Sequence, residues 1–83
     1  MDPKPRSYSL DQLIAEASSQ LGETINPRTI RLYATEGLLD RPGREGRHAV
    51  YGERQLQQLL LIRSLAQRGL SLAAIAPLAA ASN

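Results

Sequence analysis

The chain has 83 residues, with 10 Lys plus Arg against 8 Asp plus Glu, a formal net charge of +2 and a pI near 9.5. That length holds one domain with a modest core, and the absence of cysteine excludes disulfides, thiolate metal sites and cysteine nucleophiles. A single histidine, His48, has no companion at metal-ligand spacing, and no paired carboxylates or Ser/His/Asp set stands out, so neither an enzyme nor a metal or cofactor site is expected.

No apolar run reaches signal-peptide or membrane-spanning length, which leads us to expect a cytoplasmic protein without a membrane partner. The basic residues are nine arginines and one lysine, and a planar guanidinium suits phosphates and guanine edges better than an ammonium does. Between Asn26 and Arg54 stand six arginines and four acids, so the whole positive excess lies in that stretch.

In chain order, residues 1–7 hold two prolines and mixed charge and are expected to form a mobile arm, with the domain running over 8–78 and a short tail over 79–83. Ser9 is placed to cap a first helix whose Leu10, Leu13, Ile14, Ala17 and Leu21 follow helical spacing, and Gly22 ends it. Asn26-Pro27 is the strongest start signal in the chain, a capping side chain followed by proline at the first helical position. The second helix is therefore predicted over 27–36, with Ile30 and Tyr33 or Ala34 inward, Arg28 and Arg31 on another face, and Gly37 as the stop.

Leu38 and Leu39 return to the core, and Asp40-Arg-Pro-Gly43 reads as a turn. Residues 47–51, bounded by Gly46 and Gly52, suit one short strand that pairs back on residues 39–41, giving a two-stranded ribbon. A third helix is predicted from Glu53 to Arg68 with Leu56, Leu59, Leu60, Ile62 and Leu65 inward and Gly69 beyond its end. Ser71 caps a fourth helix with Leu72, Ile75 and Leu78 inward, kinked or cut short at Pro77. The predicted fold is thus all-α, four short helices with a small two-stranded β wing.

A capped, arginine-bearing helix followed at once by a basic ribbon is a shape suited to a DNA backbone and groove. On the helix the candidate DNA-contact residues are Asn26, Arg28, Thr29, Arg31 and Tyr33, with the arginines directed to guanine edges or phosphates and Thr29 to a phosphate or a thymine methyl. Tyr33 either reaches a phosphate through its hydroxyl or packs in the core. On the wing the candidates are Arg41, Arg44, Arg47, His48, Tyr51 and Arg54, all as phosphate contacts. His48 is also readable as an ordinary strand residue, and Tyr51 as a lid on the core.

The ordered set Tyr8-Ser-Leu10, Arg28-Thr-Ile-Arg-Leu-Tyr33, Gly37-Leu-Leu39, Val50-Tyr51, Ile62-Arg63 and Gly69-Leu-Ser-Leu72 resembles the DNA-binding domain of MerR-type transcription regulators. The resemblance implies a winged helix-turn-helix, with the second helix in the major groove of double-stranded DNA and the wing on the adjacent backbone. It further implies a bacterial, nucleoid-associated regulator that distorts a promoter and acts there on RNA polymerase, binding as a homodimer through a C-terminal helix. That helix is missing here, so the isolated 83-residue chain is expected to be a truncated, monomeric portion.

The chain departs from the family pattern in three places. The connector between the first two helices is longer, Ala34 stands where an acid is usual, and the wing has His48 and Ala49 in place of tyrosine and arginine, with Arg47 one position earlier. Two further readings of the residues remain open: an architectural or recombination accessory factor that coats DNA, and a protein-interaction module whose arginines meet an acidic partner.

Overall fold

The computed structural model describes residues 7–81, and the expectation of a mobile arm therefore lies almost wholly outside the described residues. The chain enters on a two-residue strand, β1 (Ser7–Tyr8), so Ser7 belongs to the folded unit. Ser9 then caps α1 (Leu10–Leu21): the Gln12 amide donates to Ser9 Oγ at 3.1 Å, and the Ser9 amide donates to Gln12 Oε1 at 2.9 Å. Two orphan amides of the first turn are thereby satisfied by two side chains. Gly22 closes the helix in the left-handed region at φ 69°.

Asn26 and Pro27 start α2 (Pro27–Thr35) as their chemistry requires, with the Arg28 amide donating to Asn26 Oδ1 at 2.9 Å. The stop is a Schellman turn around Gly37, at φ 77°. There the Gly37 amide donates to the Ala34 carbonyl at 3.1 Å and the Leu38 amide to the Tyr33 carbonyl at 2.8 Å. The turn aims Leu38 and Leu39 inward, where they are buried.

The wing differs from the expected ribbon in three respects. The partner of the long strand is β2 (Gly43–Glu45), not residues 39–41, and the pairing with β3 (His48–Gly52) sets Gly43 opposite Val50, Arg44 opposite Ala49 and Glu45 opposite His48. The reversal falls at Gly46-Arg47, with Gly46 at φ 61°, and not at residues 40–43. A glycine at the first centre of a two-residue hairpin loop matches the twist of the flanking strands. The sheet also has three strands, in the order β1-β3-β2, because Ser7 pairs with Gly52 and Tyr8 with Tyr51.

The displaced register has a physical cause in α3 (Glu53–Gln67). Gln58 of that helix accepts from the Asp40 amide at 2.9 Å, and Gln55 Nε2 donates to the Arg41 carbonyl at 3.3 Å. Residues 40–41 are therefore tied to a helix and unavailable to a ladder.

α3 begins directly at the end of β3, and the Gly52 amide donates to Gln55 Oε1 at 2.8 Å. It ends in a second Schellman turn around Gly69. Ser71 then caps α4 (Leu72–Ala81), its Oγ accepting from the Ala74 amide at 3.2 Å. This helix runs on through Pro77 instead of ending there, past the domain limit expected at Leu78.

Leu13, Ile30, Leu39, Leu56, Leu59, Ile62 and Ile75 form the fully buried centre, drawn from every helix and from the residues that follow α2. Leu78, expected inward, is 47% exposed, and Ala79 takes its place. Steps of three residues lag behind the helical repeat by about 60° each, so Leu78 drifts off the face that Leu72 and Ile75 share while Ala79, four beyond Ile75, returns to it.

Candidate nucleic-acid interface

The cap at Asn26 fixes where α2 begins and hence which residues face out. Ile30 and Tyr33 are buried, Thr29 and Ala34 are partly covered, and Arg28, Arg31, Leu32 and Thr35 are exposed. Burial of one stripe therefore leaves a basic outer face.

The strand period places the wing residues with the same economy. Arg44 lies opposite Ala49 and so shares a face with Ala49 and Tyr51, whereas Glu45 and His48 point to the other side. The first face looks across at α2. Between them is a cleft of about 630 Å³ lined by Arg31, Ala34 and Thr35 of the helix, Arg41, Pro42, Arg44, Ala49 and Tyr51 of the wing segment, and Leu10. Its walls carry three arginines, no acid and an apolar floor. Burial pushes the Tyr51 phenol above its ordinary value, and the charge of Arg31 acts in the opposite sense, as expected of two groups sharing one cleft.

Arg31, Arg41, Arg44 and Tyr51 are thus brought together, and Arg28 extends their charge along the exposed face of α2. Arg47 stands exposed at the hairpin tip. His48 lies outside the cleft, exposed beside Glu45 on the opposite face of the sheet. Asn26 is exposed, and its Oδ1 accepts the helix-cap hydrogen bond.

Arg54 of α3 donates from Nε to Asp40 Oδ2 at 2.6 Å, an exposed ion pair between that helix and the segment after α2, and neither residue lines the cleft. Together with a hydrogen bond from Gln58, which is the larger influence, that pair holds the Asp40 carboxyl below its ordinary range. The ion pairs among the described residues are Arg54–Asp40 and Arg63–Glu23, so the exposed arginines at 28, 31, 41, 44 and 47 have no carboxylate partner there.

Tyr33 is in the core at 3% exposure, and its hydroxyl accepts from Arg63 Nη1 at 3.0 Å. Arg63 also grips Glu23 with two parallel bonds, Nε to Oε2 at 2.7 Å and Nη2 to Oε1 at 2.9 Å. The hydrogen bond from Arg63 lowers the Glu23 pKa against the opposing effect of burial, and Arg63 is in turn pushed further up, chiefly by Glu23. Of the two readings of Tyr33, the core one describes this structure.

The Glu23–Arg63–Tyr33 cluster ties the connector after α1 to α3 and to the inner face of α2, and it was not foreseen. Its one local signal is a charge placed directly after the apolar run Leu59-Leu60-Leu61-Ile62. The partners lie 40 and 30 residues away, beyond any local pattern.

Among the described residues no helix is long and apolar enough to cross a membrane, and no group of His, Asp and Glu side chains is placed to hold a metal ion.

The model of the MerR HTH family of regulatory proteins matches residues 13–82. No curated protein is significantly similar to the chain. Among solved structures, the chain is similar to HiNmlR, described as a MerR family regulator lacking the sensor domain and bound to promoter DNA, at 29% identity and a TM-score of 0.70. The match covers 93% of this chain and 55% of that one, so the chain spans about half the length of that relative.

Proposed function

Since this chain belongs to the MerR HTH family, we propose that it is the sequence-specific DNA-binding part of a transcription regulator and not an enzyme. The observation that carries the reading is the acid-free cleft between α2 and the wing, with Arg31, Arg41 and Arg44 on its walls and, among the described residues, no carboxylate paired with any of the three side chains. A duplex with α2 in its major groove brings a phosphate backbone to that cleft, while Arg28 and Arg31 face base edges from the exposed side of the helix. The relative HiNmlR was solved on promoter DNA, which supports the same docking here.

A helix of nine residues reads only a few base pairs. We therefore take the functional unit to be a two-fold pair on two half-sites of a promoter, where it acts on RNA polymerase and resides with the nucleoid. Duplex binding measured across a salt series tests the proposal. The logarithm of the affinity should fall linearly with the logarithm of salt concentration, with a slope set by several released counterions. Binding that ignores salt, or no binding at all, would instead favour a protein partner for the arginine face.

A further inference from the structure

One side chain of α2 has no packing reason to be apolar. Leu32 is 45% exposed and, unlike the partly buried hydrophobic residues that ring the core, does not pack against it. A scattered surface leucine is ordinary; its place is what distinguishes this one. At about 100° per residue, Arg28, Leu32 and Thr35 fall within about 60° of one another, with Ile30 on the far side of the helix. Leu32 therefore stands on the outward line of α2, while Arg31 occupies the flank that turns toward the wing.

We infer that Leu32 is a specificity-determining residue that takes the C5-methyl group of a thymine in the major groove, an inference that rests on the DNA-binding reading above. That methyl is the apolar group by which a T·A pair is marked in the major groove, and aliphatic contact is how a side chain without donors or acceptors reads a base. The two arginines supply what leucine cannot, namely attraction to the duplex and a fixed position over it. Contact with the methyl then removes from water an apolar surface on each partner. Leu32 lies about 6 Å along the helix axis from Arg28, so the thymine falls within about two base steps of the pair that Arg28 reads.

The test uses duplexes that the wild-type chain selects from a random pool. Each thymine of the preferred site is replaced singly by deoxyuridine, which removes the methyl and leaves every hydrogen-bonding group in place. Affinities are measured at one salt concentration for the wild type, Leu32→Ala and Leu32→Met. One or two replacements should weaken the wild type roughly three- to fivefold, the worth of about one buried methyl. The same replacements should leave Leu32→Ala unaffected, and the volume-conserving Leu32→Met should keep the response.

Because the side chain is exposed, thermal unfolding of Leu32→Ala should match the wild type, which separates reading from folding. Deoxyuridine effects of equal size in the wild type and Leu32→Ala would overturn the inference while leaving the DNA-binding reading intact. A wild type with no salt-sensitive preference for any duplex would remove both.

Discussion

At the scale of single residues, the side chains divide by whether the fold has already engaged them. Among the described residues Arg54 and Arg63 are in ion pairs, whereas Arg28, Arg31, Arg41, Arg44 and Arg47 are not. Tyr33 sits on the engaged side. Tyr33→Phe removes the acceptor for Arg63 Nη1 and should lower stability by about 0.5–1.5 kcal/mol, read from denaturant unfolding, with DNA affinity unchanged. A loss of affinity at unchanged stability would return Tyr33 to the phosphate contacts.

Glu23 adds a pH dependence. Its folded-state pKa lies below the ordinary value of 4.5, so the stabilisation it contributes is fully present above that value and is lost as the pH falls through the lower folded one. The stability gap between wild type and Glu23→Gln, followed from neutrality down through the carboxylate range, should therefore be widest near neutrality and close in acid. A gap that widens in acid would mean the ion pair is not what holds the connector.

At the scale of elements, what was legible in the chain was local. Ser9 with Gln12, Asn26 with Pro27, and the glycines at 22, 37 and 69 each act within one helical turn, and the helix limits they set agree with the structure to within a residue. The wing was legible as one short strand, but its partner, expected at residues 39–41, lies at Gly43–Glu45. Gln55 and Gln58 decide that register from a different element, and a two-residue β1 carries no periodicity to detect. In the candidate site, Arg31, Arg41, Arg44 and Tyr51 line one cleft, while His48 turns away because it alternates with Ala49 and Tyr51 along β3.

The last helix was misjudged for a related reason. Ile75 and Ala79, buried on one face, hold α4 together on both sides of Pro77 although that residue donates no amide to the Ala73 carbonyl. Pro77→Ala supplies the missing donor at an exposed position and should stabilise the domain by about 1–2 kcal/mol, after allowance for the freer unfolded chain, as a rise in the thermal midpoint. A fall would show that the proline shapes a packing contact that alanine loses.

At the scale of the whole molecule, the helices and the small sheet share a single small core, and the face turned away from that core is basic on α2 and apolar on α4. The exposed side of α4 is mostly alanine with Leu78 as its one large residue, too little apolar surface for the roughly 1,200 Å² that stable association requires. The 83-residue chain is accordingly expected to sediment as a single species near 9.1 kDa, and a stable dimer without DNA would show that α4 carries an interface of its own.

The central claim is a division of labour, in which α2 reads bases and the wing holds phosphates. The direct measurement is the affinity of Arg28→Ala, Arg31→Ala and Arg44→Ala for the preferred duplex and for random duplex across a salt series. Arg44→Ala should weaken both duplexes by a similar factor and reduce the salt slope by about one. Arg28→Ala and Arg31→Ala should cost about 1–3 kcal/mol on the preferred duplex and much less on the random one. If all three variants weaken both duplexes alike, α2 lies on the backbone without reading it, and the division does not exist.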